Sequence, residues 1–148
     1  MRCAFVFFYI ERYEILFDRK PLYTERRKNM IQCFIVALGG GIGAVFRYLL
    51  TKIQLPFETV FPVITLFTNF AGAFLIGIVV SIAAKYNLSE KTILFLKTGL
   101  CGGFTTFSTF SLESITLIEQ KNNGMAYCYI ICSIVFCMIG VWLGKKIF

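Results

Sequence analysis

The sequence has no histidine, and its six cysteines (Cys3, Cys33, Cys101, Cys128, Cys132 and Cys137) form no C-x-x-C pair. Together these absences remove the common zinc sites, and the cysteines read as small buried hydrophobes. Charge is scarce too. Only 16% of the 148 residues are charged, where a soluble domain carries about 25%. The segments between apolar blocks are short, at residues 51–60, 85–91 and 119–123, and leave no room between them for a soluble catalytic domain. Residues 31–50 hold no acidic side chain, and a small proton-coupled exporter would want one deep in that stretch.

What the chain does have is apolar length. Hydrophobic residues make up 57% of it and gather at residues 31–50, 61–84, 92–118 and 124–144. Each block is near the ~20 residues that cross a hydrocarbon core as helix. The first contains Arg47, the third contains Lys97 and Glu113, and the second and fourth contain no charge. This predicts an all-α membrane protein of four transmembrane helices, multi-pass in the cell membrane, and oligomeric because four helices are few to enclose a pore. The net charge of +7 does not indicate nucleic acid, since the basic residues sit at span ends, where snorkelling and leaflet anchoring account for them.

Residues 1–29 stand apart. A seven-residue apolar run, Ala4 to Ile10, is followed by a charged stretch containing Pro21. This is too short to span, and no small-residue cleavage site follows it. The segment reads as a surface-lying or dispensable extension, or as a start-site artefact, with Met30 opening a channel domain at residues 30–148.

Helices in lipid associate through close packing of small residues. Gly39 and Gly43, Ala73 and Gly77, and Gly140 and Gly144 give three of the spans such a stripe. Polar groups at membrane depth must bond to protein, water or ligand. Asn69, nine residues into the second block, therefore reads as an interhelical clamp or a ligand donor. Arg47 reads as a snorkelling terminal arginine or a fixed charge at a pore mouth. Glu113 is expected near an interface in a structural part. Tyr129, Ser133 and Cys137, at i, i+4 and i+8, share one face of the fourth span.

The strongest signal is GGFTTFSTFS at residues 102–111. Non-helical backbone at membrane depth is tolerated only where protein or a water-filled cavity covers it, so this string predicts a third helix broken near its middle. Gly102 and Gly103 are expected to let the backbone leave helical geometry. Freed carbonyls then suit a cation, and freed N–H groups suit an anion. Phe104, Phe107 and Phe110 are expected on one face, with Ser108, Thr109 and Ser111 beside them. Phenyl edges are electropositive. Together with hydroxyl donors they suit a small anion without a full counter-charge.

Three strings, GGGIGAVFRY (39–48), TLFTNFAGAFLIG (65–77) and GLCGGFTTFSTFS (99–111), resemble the CrcB/Fluc family of fluoride channels over about residues 31–148. The resemblance implies a passive fluoride channel that exports the ion down its electrochemical gradient and protects against fluoride toxicity. It implies an antiparallel dimer with two pathways, and a structural sodium ion at the dimer centre on the backbone carbonyls of Gly102 and Thr105. It implies a fluoride pathway of Asn69, Phe107, Phe110, Ser108, Thr109, Tyr129 and Ser133, with Arg47 in the vestibule. Cys137 stands where a hydroxyl is usual.

Loop charge bears on the partner. The N-terminal side carries Lys85, Lys91, Lys145 and Lys146, against Lys52 and Lys121 on the other; Arg26, Arg27 and Lys28 enlarge that bias if they belong. The alternatives are a dual-topology homodimer or a heterodimer with an oppositely oriented paralogue. The competing functions are a small four-span proton-coupled exporter and a non-transporting membrane subunit, which would not need residues 102–111 or Asn69.

Overall fold

The apolar blocks become helices because their backbone groups can be satisfied in lipid only within the segment itself. The computed structural model describes residues 22–53 and 59–148. Within it, α1 is Leu22–Thr51, α2 is Val63–Tyr86 and α6 is Asn123–Lys146. All three are long and apolar enough to cross a membrane, so the chain is an all-α, multi-pass membrane protein. The third apolar block is discontinuous. It runs as α3 (Glu90–Ile93), a π-helical stretch (Leu94–Cys101), α4 (Gly102–Phe104) and, after an interruption, α5 (Phe107–Glu119).

Two compact units divide the chain at residues 33 and 34. Of the first, only residues 22–33 are described, as the opening turns of α1, which runs unbroken through Asn29 and Met30. Most of the proposed N-terminal extension, residues 1–21, lies outside the described residues. The second unit, residues 34–148, holds the rest of α1 and all of the other helices.

Element ends follow from local chemistry. Asn87 takes the left-handed conformation after α2, and its N–H bonds the Ala83 carbonyl. Asparagine tolerates that geometry better than most residues. Ser89 caps α3 by accepting from the Thr92 amide at 3.2 Å. Lys121 makes the second left-handed turn, φ 62°, before α6.

Glycine stripes bring the helices together as their spacing predicts. α1 runs alongside the π-helical stretch in the same direction. A Cβ on Gly39 would sit 2.6 Å from the Phe95 carbonyl oxygen, and one on Gly43 would sit 2.2 Å from that of Leu100. α2 and α6 also run parallel, with Gly77 against Val141 and Gly144 against Phe74. Ser81 adds a hydrogen bond to the Lys145 carbonyl, 3.1 Å. These backbone-on-backbone contacts leave no volume for a methyl group. Gly43→Ala is therefore expected to cost about 1–3 kcal/mol, the usual penalty of overpacking. Among the described residues nothing approaches a Cβ on Gly41 within 4 Å, so Gly41→Ala should be neutral or stabilising, alanine being the better helix former by ~1 kcal/mol. Thermal unfolding in detergent tests the pair, and equal shifts would contradict this packing.

Two expectations about the break need correction. Gly102 is helical, at φ −64°, ψ −38°, and Gly103 lies within α4. The backbone leaves helix at Thr105 (φ −78°, ψ 156°) and Thr106 (φ −146°, ψ 115°). Gly103 serves packing instead, since a Cβ there would meet the Gly40 carbonyl oxygen, while Gly102 is exposed and has only the Lys97 carbonyl oxygen near, at 3.9 Å. Because the break falls between Phe104 and Phe107, these two do not share a face. Phe104 lines a crevice with Phe46, Phe67 and Cys101, whereas Phe107 and Phe110 line a different cavity.

Candidate functional site

The interruption is held open by one side chain from α2. Asn69 accepts from the Thr106 amide through Oδ1 at 2.8 Å, and its Nδ2 donates to the Thr106 carbonyl at 3.0 Å. The primary amide thereby substitutes for both helical partners of a residue that has left the helix. Thr106 is buried, so neither backbone group can turn to water instead. Its hydroxyl then caps α5, accepting from the Thr109 amide at 3.2 Å and donating to Thr109 Oγ1 at 3.0 Å. Ser108 Oγ lies 3.3 Å from the same hydroxyl. Gly72 makes room for the turn, because a Cβ there would reach the Thr105 Cγ2 methyl at 2.2 Å.

These diversions have a consequence for the carbonyls. In a continuous helix the amide of residue i+4 bonds the carbonyl of residue i. The Thr106 amide, which would serve Gly102, goes to Asn69, and the Thr109 amide, which would serve Thr105, goes to the Thr106 hydroxyl. The carbonyls of Gly102 and Thr105 are thus the two whose helical partners are visibly redirected. Gly102 is exposed on the protomer and Thr105 is half-buried.

Beyond the break stands a row of rings. Phe107 and Phe110 lie with centroids 5.5 Å apart, Phe110 and Tyr129 5.3 Å, and Tyr129 and Phe61 5.6 Å in an edge-to-face arrangement. Tyr129 is completely buried. Its hydroxyl donates to Glu113 Oε2 at 2.7 Å, and Thr65 Oγ1 donates to Glu113 Oε1 at 2.8 Å. α2, α5 and α6 therefore meet at one carboxylate, and hydrogen bonds to a charged group are among the stronger ones, about 1.5–3 kcal/mol. Tyr129 has one proton to donate, and Glu113 holds it.

A cavity of about 320 Å³ adjoins the break, lined by Asn69, Thr105, Thr106, Phe107, Phe110, Ser133 and Cys137 among others. Its walls are mostly apolar. Ser133 is a polar exception: it is buried, its enclosed Oγ meets no ideal hydrogen-bond partner among the described residues, and its side chain interacts with the Tyr129 hydroxyl.

The residues singled out by sequence are thus brought together unequally. Asn69, Phe107, Phe110, Thr105 and Ser133 line one cavity. Ser108 and Thr109 join the Thr106 cap beside it, and Tyr129 backs Phe110. Arg47 is half-buried on α1, its Nε enclosed and without a hydrogen-bond partner among the described residues, and it is not among the cavity's lining residues. Sequence reasoning missed Thr106, Phe61 and the part played by Glu113. Thr106 had a readable signal, a hydroxyl residue immediately before a helix.

The sequence matches the family described as CrcB-like protein, Camphor Resistance (CrcB), over residues 34–145. It is 43% identical over 113 residues to the fluoride-specific ion channel FluC of Flavobacterium psychrophilum, covering 75% of this chain and 91% of that protein. It is 41% identical over 122 residues to the fluoride-specific ion channel FluC of Ruminiclostridium cellulolyticum, covering 81% and 94%. Against the protein of that name from Agrobacterium fabrum it is 44% identical over 117 residues, covering 78% and 94%.

Proposed function

The chain belongs to the CrcB family, and from that premise we propose that it is a passive fluoride-selective channel of the cell membrane rather than an enzyme. The observation that carries this reading is the cavity lined together by Asn69, Phe107, Phe110 and Ser133. An anion in that cavity meets ring edges and single hydrogen-bond donors, not a full positive charge. That suits conduction, which requires an exit as well as an entry. Asn69 has a second amide hydrogen beyond the one given to Thr106. Ser133 has a proton to give, and Ser108 and Thr109 supply hydroxyls at the mouth of α5. Arg47 raises the local anion concentration from a vestibule outside the cavity.

Fluoride crosses into acidified cells as neutral HF and is trapped when HF dissociates. A channel returns the ion down its electrochemical gradient without proton coupling or nucleotide. Expression in fluoride-sensitive cells tests this reading. Growth in fluoride at mildly acidic pH should recover, while sensitivity to other anions is unchanged. Failure to rescue with protein present in the membrane counts against it.

The working unit of this proposal is a dimer of oppositely oriented four-span protomers, with residues 90–119 as the third span. Phe107 supports it: a pathway ring that is 79% exposed on one protomer calls for a covering surface. Gly102 and Thr105 would hold a structural sodium ion at the dimer centre through their redirected carbonyls, where it supplies fixed positive charge between the protomers. The oppositely facing partner is a second copy of this chain or a paralogue. Labelling of single cysteines from each side of the membrane separates these, since label entering from one side only excludes the homodimer.

Tyr129 and the N-terminal segment give two more expected outcomes. Because Glu113 holds the Tyr129 proton, Tyr129→Phe should slow fluoride less than the loss of Asn69 or Phe110. It should still lower stability by about 1–3 kcal/mol, the cost of leaving a buried polar partner unmatched; parallel efflux and unfolding measurements check it. A protein beginning at Met30 should retain insertion and fluoride efflux, because the family match begins at residue 34, and loss of either would assign residues 1–29 a part in the channel.

A further inference from the structure

We infer that Cys128 and Cys132 form a dithiol site for trivalent organoarsenicals, on a face of α6 that the proposed channel pathway does not use. The two residues are one helical turn apart on α6, and their sulfurs lie 3.9 Å from each other. Cys128 is exposed and Cys132 partly so, and both are free thiols. The neighbouring Tyr129 and Ser133 point inward and are buried, so the thiols occupy the flank of the helix rather than the cavity wall.

Helix geometry decides what such a pair can do. Residues at i and i+4 hold their Cβ atoms about 5–6 Å apart. A disulfide needs them at about 3.5–4.5 Å, joined by a single bond of about 2.0 Å, so oxidation to a disulfide would require α6 to unwind. One bridging atom removes the conflict, because two bonds in series through that atom span the gap while the helix stays intact. The position also favours a neutral product. Both thiols lie within a membrane-spanning helix, where an isolated charge is costly. Two thiolates would neutralise a divalent cation but fill only two of its four usual ligand positions, and the lipid beside α6 supplies no others.

A monosubstituted arsenic(III) oxide meets both conditions. Its reaction with the pair breaks two S–H bonds and forms two As–S bonds. The oxide oxygen leaves with the two protons as water, and arsenic remains trivalent, so no oxidant or reductant is consumed and the adduct carries no charge. The apolar substituent on arsenic is at home in the lipid beside α6.

Phenylarsine oxide, added to the reduced full-length protein in detergent and followed by intact mass, tests this site. The wild type should gain one reagent less one water. A small dithiol should reverse the gain, and a monothiol at equal sulfur concentration should not. Cys128→Ser and Cys132→Ser should each lose dithiol-reversible uptake completely, while Cys33→Ser keeps it. Alanine at either position provides a second variant should serine impair folding. No uptake by the wild type, or uptake that survives either substitution, overturns the proposal. Because the readout is mass, it is independent of fluoride movement, so its failure and that of the channel reading are distinguishable.

Discussion

Asn69→Ala is expected to lower fluoride efflux roughly 10- to 150-fold and to destabilise the protein by about 2–6 kcal/mol. The first figure is the value of one hydrogen bond to a charged group, about 1.5–3 kcal/mol, at 1.4 kcal/mol per tenfold. The second follows from the clamp. Without Oδ1 and Nδ2, the amide and carbonyl of Thr106 lose bonds of 2.8 and 3.0 Å, and Thr106 is too buried for water to replace them. Each unmatched backbone group costs about 1–3 kcal/mol. Asn69→Asp separates the two effects. It keeps an acceptor for the Thr106 amide and so should recover part of the stability, yet it supplies no donor and places negative charge beside an anion route, so efflux should stay low. Thermal unfolding and liposome efflux on the same preparations check both. Wild-type efflux in Asn69→Ala would remove this residue from the pathway.

Phe110→Ile should produce the complementary result, a loss of flux on the order of tenfold, equivalent to about 1.4 kcal/mol, with a smaller loss of stability. Phe110 stands between Phe107 and Tyr129 at 5.5 and 5.3 Å and lines the cavity. Isoleucine retains apolar bulk but has no electropositive ring edge. The aromatic contacts given up are worth about 0.5–1.5 kcal/mol each, and the Asn69–Thr106 clamp is untouched, so folding should survive. Efflux from liposomes containing equal amounts of folded protein measures the effect. Unchanged efflux would show that the anion does not pass the ring.

Much of this was legible in the sequence because it depends on local patterns. The apolar blocks at residues 61–84 and 124–144 became α2 and α6 within two residues at each end, since lipid leaves the backbone no alternative to helix. The glycine stripes read correctly because interhelical packing needs small residues at fixed spacing. The interruption in the third block was legible in kind but not in position. Gly102 and Gly103 seemed the natural break, yet a glycine pair only permits departure from helix. The Asn69 amide, 37 residues away, draws the break to Thr106. The Glu113 cluster was hidden for the same reason, as its partner Thr65 lies 48 residues distant. The π-helical stretch at Leu94–Cys101 has no signal in residue type that would have announced it.

Whether this cavity conducts fluoride is decided by purified protein reconstituted in liposomes loaded with equal fluoride and chloride. Efflux of each ion is followed after the potential is released. Fluoride should leave rapidly with chloride retained, and the fluoride rate should fall in Asn69→Ala and Phe110→Ile. Equal efflux of both ions, or efflux of neither from vesicles that contain folded protein, would mean that the cavity is not a fluoride route.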